Sequence, residues 1–174
     1  MARRKSSTAR DTVQIKGFAR LALQNAETGA VEWESGWVPN ALTDIGFQHY
    51  LVGVVGGIAN SSRPAYIALA TQTAAATTTQ DDPSGPFGGR KAATFSFSAN
   101  GTLQGTASWD TNEATGSNIG ALSFYATDTG GSCANVALLA ATTSKSTAQT
   151  LSASLQWRFS AMLLPLLLSS MFVC

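Results

Sequence analysis

The chain has 174 residues and a formal charge of +1, with only 12% charged side chains, while Ala, Ser, Thr and Gly fill 83 positions. That length suits one domain with ragged ends, and so thinly charged a surface is poorly protected against association, so a protein packed against copies of itself or a partner is expected. The sequence offers no run of roughly 18 apolar residues to span a membrane and no apolar stretch after its opening basic residues to act as a secretory leader; Cys133 and Cys174 alone make neither a disulfide framework nor a zinc site.

In the first 20 residues Arg3, Arg4, Lys5, Arg10, Lys16 and Arg20 stand against Asp11, a balance of +5, and the remainder is −4. Residues 1–12 have no apolar pattern and read as a flexible basic arm. It is either a solvated tail or a contact, through Arg3, Arg4, Lys5 and Arg10, with an acidic protein surface. Without aromatic side chains to stack on bases, its grip on phosphates would be weak and salt-sensitive, so no specific nucleic acid is expected.

Val13, Ile15, Phe18, Leu21 and Leu23 predict a strand, with Gly17 marking a bulge. A turn at Asn25–Gly29 leads to a return strand over Val31–Val38, with Trp33 and Trp37 on one face. Asn40 suits the cap of a helix over 41–55, which Gly56-Gly57 would end. The single histidine, His49, falls in that helix without an orienting acid or a nucleophile at any telling spacing, so a structural role is expected.

Tyr66–Thr71 reads as a strand. Residues 72–90 carry no periodicity and read as a long loop, a candidate lattice-contact arm or lid with Phe87 as its partner contact. Asp81 and Asp82 with Asp110 or Asp128 lack the spacing of a calcium loop, and an Asp-Pro turn accounts for the pair, so no metal or cofactor is expected. Strands follow at Lys91–Ser98, Thr102–Trp109, Ile119–Tyr125, Val136–Ala141 and Leu151–Phe159. Asn100-Gly101 is a hairpin signal. Phe95 and Phe97 share a face, which predicts that both enter the core. These segments define a mainly β domain over 13–160, an antiparallel β-sandwich or jelly roll with one short helix.

Residues 161–174 form an apolar tail. Met162, Leu163, Leu164, Leu166, Leu167 and Phe172 are candidate contacts, and Pro165 rules out a regular central strand. The tail is too short to span a bilayer, and a contiguous apolar patch does not rest well in water. It would cover an edge of its own domain, dock in a neighbour's groove, or touch a membrane, the last being the poorest fit.

Several stretches are similar to those of a known family. They are Gly36-Trp37-Val38-Pro39-Asn40-Ala41-Leu42-Thr43 with Gly46, Tyr66-Ile67-Ala68-Leu69-Ala70-Thr71, Arg90-Lys91-Ala92-Ala93, Ile119-Gly120-Ala121-Leu122-Ser123-Phe124 and Leu155-Gln156-Trp157-Arg158-Phe159. Over about residues 13–159 the chain resembles small accessory structural proteins of tailed-bacteriophage virions, although Ala70 and Gln72 stand where that family carries glycines and Gly120 where it often carries an acid. The resemblance implies a β-sandwich on the virion without catalysis. A capsid decoration or cement protein, bound to the capsid protein and to its own copies, is the leading expectation. The alternatives are a neck, tail or fibre-associated protein, or a carbohydrate- or host-binding module using Trp33, Trp37, Trp109 or Trp157, for which core packing is the simpler role.

Overall fold

The computed structural model describes residues 12–52 and 63–162. Ten strands are present: β1 (Thr12–Asn25), β2 (Val31–Glu34), β3 (Val38–Leu42), β4 (Tyr66–Ala70), β5 (Pro86–Ala92), β6 (Thr94–Ser98), β7 (Thr102–Trp109), β8 (Asn118–Tyr125), β9 (Asn135–Ser144) and β10 (Gln149–Met162). All pairings between named strands are antiparallel, in the order β5-β4-β8-β9-β3-β1-β10-β7-β6, with β2 branching from β1. The mainly β, antiparallel expectation holds. The strand order is that of one curled sheet forming a near-closed barrel.

Closure comes from the two strands at the ends of that order. β5 and β6 are consecutive in the chain, separated only by Ala93, whose N–H donates to the carbonyl of Ala65 at 2.8 Å. They act as one bent strand: its first half pairs with β4 and its second half with β7. Where β5 passes the end of β7 there is no ladder. The Trp109 indole N–H bridges instead to the carbonyls of Gly88 (3.2 Å) and Gly89 (3.4 Å), and Lys91 pairs with Glu113. A closed barrel leaves no strand edge for other chains to add to; here edges remain at that gap, along β2, which pairs only with β1, and where β1 and β10 outrun β3 and β7.

Period-2 alternation fills the interior. Leu21 and Leu23 of β1, Trp109 of β7, and Leu151, Leu155 and Trp157 of β10 are all buried. Phe124 lies between Phe95 (centroids 5.8 Å) and Trp157 (5.5 Å, edge to face). Phe97 has the same parity as Phe95 but is 75% exposed, because β6 runs past the barrel rim at its end. The expectation that Phe97 is core is therefore corrected. Phe97→Asp should change stability by no more than about 0.5 kcal/mol in urea denaturation, the range of ordinary surface substitutions.

The region 38–52 departs from a helix over 41–55. Val38–Leu42 is strand, with Asn40 paired opposite Gly17 on one side and Ala137 on the other. Gly17 is thus a regular ladder position, not a bulge; the register shift in β1 falls at Leu23/Gln24. Glycine at 17 makes room for the Asn40 side chain: a Cβ there would sit 1.6 Å from Asn40 Oδ1 and push the amide aside. The helix proper is a short π-helical segment, Gly46–Val52. Its cap is Thr43: the Gly46 N–H donates to Thr43 Oγ1 at 2.9 Å, and that hydroxyl donates to the Cys133 carbonyl at 2.7 Å. Tyr50 ties the helix to the barrel, donating to the Ser132 carbonyl and accepting from the Ala126 N–H. Gly56 and Gly57 lie outside the described residues.

The stretch expected to be an open loop over 72–90 is a folded cover. Strand begins at Pro86, and residues 71–85 lie over the outer face of β4 and β8. Gln72 is buried in a reciprocal amide pair with Gln80 and accepts from the Ser84 N–H at 2.9 Å. The loop is stitched to the body by Asp44 N–H to Thr78 and Cys133 N–H to Asp81, both 2.7 Å to carbonyls. Beneath it Ala68, Ala70, Ala121, Tyr125, Cys133 and Val136 form a second small core. Small residues are needed there: a Cβ on Gly120 would stand 2.4 Å from the Gln72 carbonyl oxygen.

Candidate functional site

β1 and β10 pair along their whole length, from Thr12 opposite Met162 to Asn25 opposite Gln149. β3 pairs with β1 only over Gly17–Ala19, and β7 meets β10 only as far as Arg158. Beyond the Phe159 N–H, which donates to the Gly101 carbonyl at 2.9 Å, residues 12–14 and 160–162 pair only with each other, as a short two-stranded projection from one end of the barrel. The segments 1–11 and 163–174 continue from its two adjacent strands.

Two concavities flank the projection. One, about 420 Å³, opens where β1 and β3 part and is lined by Ile15, Lys16, Gly17, Phe18, Pro39, Asn40, Leu42 and Trp157. The other is an open groove of about 600 Å³ across the outer face of β10, β7 and β6. Alternation places serine, threonine and glutamine on that face. Gln156 Nε2 donates to Gln104 Oε1 at 2.6 Å, and Arg158 donates to Gln156 Oε1 through Nε (3.2 Å) and Nη2 (2.9 Å). The Arg158 guanidinium lies 4.4 Å over the Phe18 ring. Lys16 and Arg158 line the groove and no carboxylate does, so this face of the barrel end is cationic.

Of the candidate contacts, Arg3, Arg4, Lys5, Arg10, Leu163, Leu164, Leu166, Leu167 and Phe172 lie outside the described residues. Met162 is the last residue of β10, its backbone opposite Thr12. Phe87 belongs to β5, not to a loop; it faces Leu69 near the opposite barrel end, half-buried against the main core. The structure thus does not bring Phe87 to the projection. Sequence reasoning passed over Lys16, Arg158 and Gln156 as contacts. Their even-numbered parity opposite the buried Leu155 and Trp157 is the signal that places them outside.

The titratable groups gather elsewhere, beneath the covering loop. The Tyr125 hydroxyl donates to the Asp82 carboxylate, and the Arg90 guanidinium lies 3.4 Å over the Tyr125 ring. Burial, reinforced by Asp82, pushes the Cys133 thiol up to about 12, so it is held protonated and is a poor nucleophile. Burial also raises Tyr50 and, with the Asp82 hydrogen bond, Tyr125. These groups bind protons more tightly folded than unfolded. Stability is therefore whole below pH 9, the ordinary thiol value, and falls as pH climbs from there toward about 12. Urea midpoints at pH 7, 9 and 10.5 should decline above pH 9, and Cys133→Ala should remove the earliest part of the decline.

His49 lines a shallow concavity of about 260 Å³ with Ile45, Tyr50 and Thr127, where no acid faces it. Among the described residues, no three His, Cys, Asp or Glu side chains group around a possible metal position. Trp109 and Trp157 are buried and Trp33 packs on the core, while Trp37 is 39% exposed. No protein-family model, characterised protein or solved structure matches the chain.

Proposed function

We propose that this chain is a non-enzymatic structural subunit of a tailed-phage virion, a capsid decoration or cement protein that binds the shell and its own copies through one end of the barrel. The observation that carries the reading is the Thr12–Met162 pair, which places on neighbouring strands the residues next in sequence to the basic and the apolar segment. The cationic face at Lys16 and Arg158 lies at the same end of the barrel as that pair and would attract an acidic partner surface. The division of labour follows from magnitudes. A surface ion pair contributes about 0–1 kcal/mol, so the basic arm steers rather than holds. Five large apolar side chains of the tail, buried at roughly 1.5–3 kcal/mol each, give roughly 7–15 kcal/mol before ordering costs.

Deletion of 163–174 should abolish incorporation into particles while leaving the barrel's thermal midpoint in place. Deletion of 2–10 should weaken incorporation more as salt rises. Incorporation that survives loss of the tail, or a barrel that unfolds without it, sinks the assembly role. Copy number separates the forms of the proposal: hundreds of copies spread over the shell fit cement, and a handful confined to neck or tail fit the accessory role there. The exposed Trp37 keeps a glycan-binding module as a second reading, tested by glycan binding that Trp37→Ala removes.

A further inference from the structure

Lys16 of β1 and Arg158 of β10 stand directly opposite each other in the register, and both line the groove of about 600 Å³ across β10, β7 and β6. Like charges in that position weaken a ladder, and an anion held beside them turns the cost into an attraction. We propose that this groove binds a carboxylated saccharide, with the carboxylate at Lys16 and Arg158 and the sugar hydroxyls on the neutral side chains next to them. The inference rests on the groove alone: it holds whether or not the chain is a virion protein, and Trp37 does not line the groove.

The Arg158 guanidinium is held in place before any ligand arrives. It lies 4.4 Å over the Phe18 ring, and its Nε and Nη2 donate to Gln156 Oε1 at 3.2 and 2.9 Å. Those bonds use two of its five N–H groups and leave three for an anion. Gln156, only 9% exposed, passes the chain of bonds on. Its Nε2 donates to Gln104 Oε1 at 2.6 Å, so the Gln104 amide offers its donor end, Nε2, to a further acceptor. Ser96, Ser98, Asn100, Thr102 and Ser160 complete the polar lining, with groups that give and take hydrogen bonds as sugar hydroxyls do. Phe97, exposed at the rim, supplies an aromatic ring for the C–H face of a sugar. The floor is the face of three paired strands, whose backbone groups turn into the ladders and leave recognition to side chains. A peptide gripped through its main chain needs a sheet edge instead, which favours the saccharide over an acidic peptide. The volume falls in the range of small-molecule sites, roughly 300–1,000 Å³.

The test uses the full chain and three probes of the class: trigalacturonate, a hyaluronan tetrasaccharide and a sialic acid dimer. Isothermal titration should show saturable binding of at least one of them, about tenfold or more tighter than its methyl ester and than triglutamate. The ester keeps the sugar without the charge, and triglutamate the charge without the sugar. Arg158→Gln should weaken the binding about tenfold or more. Phe97→Ser should weaken it severalfold while leaving the thermal midpoint in place, and Trp37→Ala should leave it unchanged. If Arg158→Gln does not fold, Lys16→Gln, at an exposed position, makes the same test. Binding of none of the three probes, or binding of triglutamate or of the ester as tight as that of the acid sugar, overturns the proposal. So does binding that is lost on deleting residues 2–10 or in Trp37→Ala but kept in the Arg158 and Lys16 variants.

Discussion

Trp109→Ala should destabilise the protein by about 3–5 kcal/mol, the cost of emptying a fully buried aromatic site. The side chain does more than fill space. Its indole N–H spans the one stretch where β5 and β7 lie side by side without a ladder, reaching the carbonyls of Gly88 and Gly89. The loss should therefore be local as well as global: amide exchange should quicken in Pro86–Ala92 before it quickens in β1 or β10. Trp109→Phe keeps most of the ring and loses the bridge, at a cost of about 1–2 kcal/mol. Denaturant unfolding and hydrogen exchange check both. A cost under about 1 kcal/mol for Trp109→Ala would mean the barrel closes by other means.

Gly120→Ala should lift the covering loop from the sheet. The new Cβ would stand 2.4 Å from the Gln72 carbonyl oxygen, and backbone on both sides limits the escape. Gln72 anchors the loop through Gln80 and Ser84, so its displacement opens the small core beneath. Cys133, buried there, reports on it. In a Cys174→Ser background the thiol should resist labelling at pH 8 in the natural sequence and react about tenfold or more faster in the Gly120→Ala variant. Unchanged labelling with unchanged stability would show that the loop accommodates the methyl group.

Much of the barrel was legible because its central strands obey one rule. In β7 and β10, Leu103, Ala107, Trp109, Leu151, Leu155 and Trp157 alternate strictly with polar residues, and Asn100-Gly101 marks the turn into β7. The misreadings arose where a second layer intrudes. β8 is buried on both faces, from Ile119 to Tyr125, which is the mark of a strand covered twice. The cover is the very loop whose polar sequence predicts openness, and Gln72 can be buried there because half-buried Gln80 satisfies its amide. Leu42 and Ile45 fit a helical spacing, yet the first belongs to β3, held there by Asn40 against Gly17. Phe97 has the right parity and the wrong position along its strand, a distinction that alternation does not encode. The end of the barrel that carries the proposed contacts was legible only as two odd segments. That they leave from paired strands is long-range information.

The Thr12–Met162 pair also determines how the molecule bears load. Pulled apart in opposite directions, residues 1–11 and 163–174 would open the β1–β10 ladder from its terminal pair inward, rung by rung, and little force is needed when bonds break singly. Pulled together in one direction, as when a single neighbour grips both, the load runs along β1 and β10 and is shared by their ladders with β3 and β7, whose bonds must slide at once. The barrel is mechanically weak to a tug between two separate neighbours and strong to a haul by one.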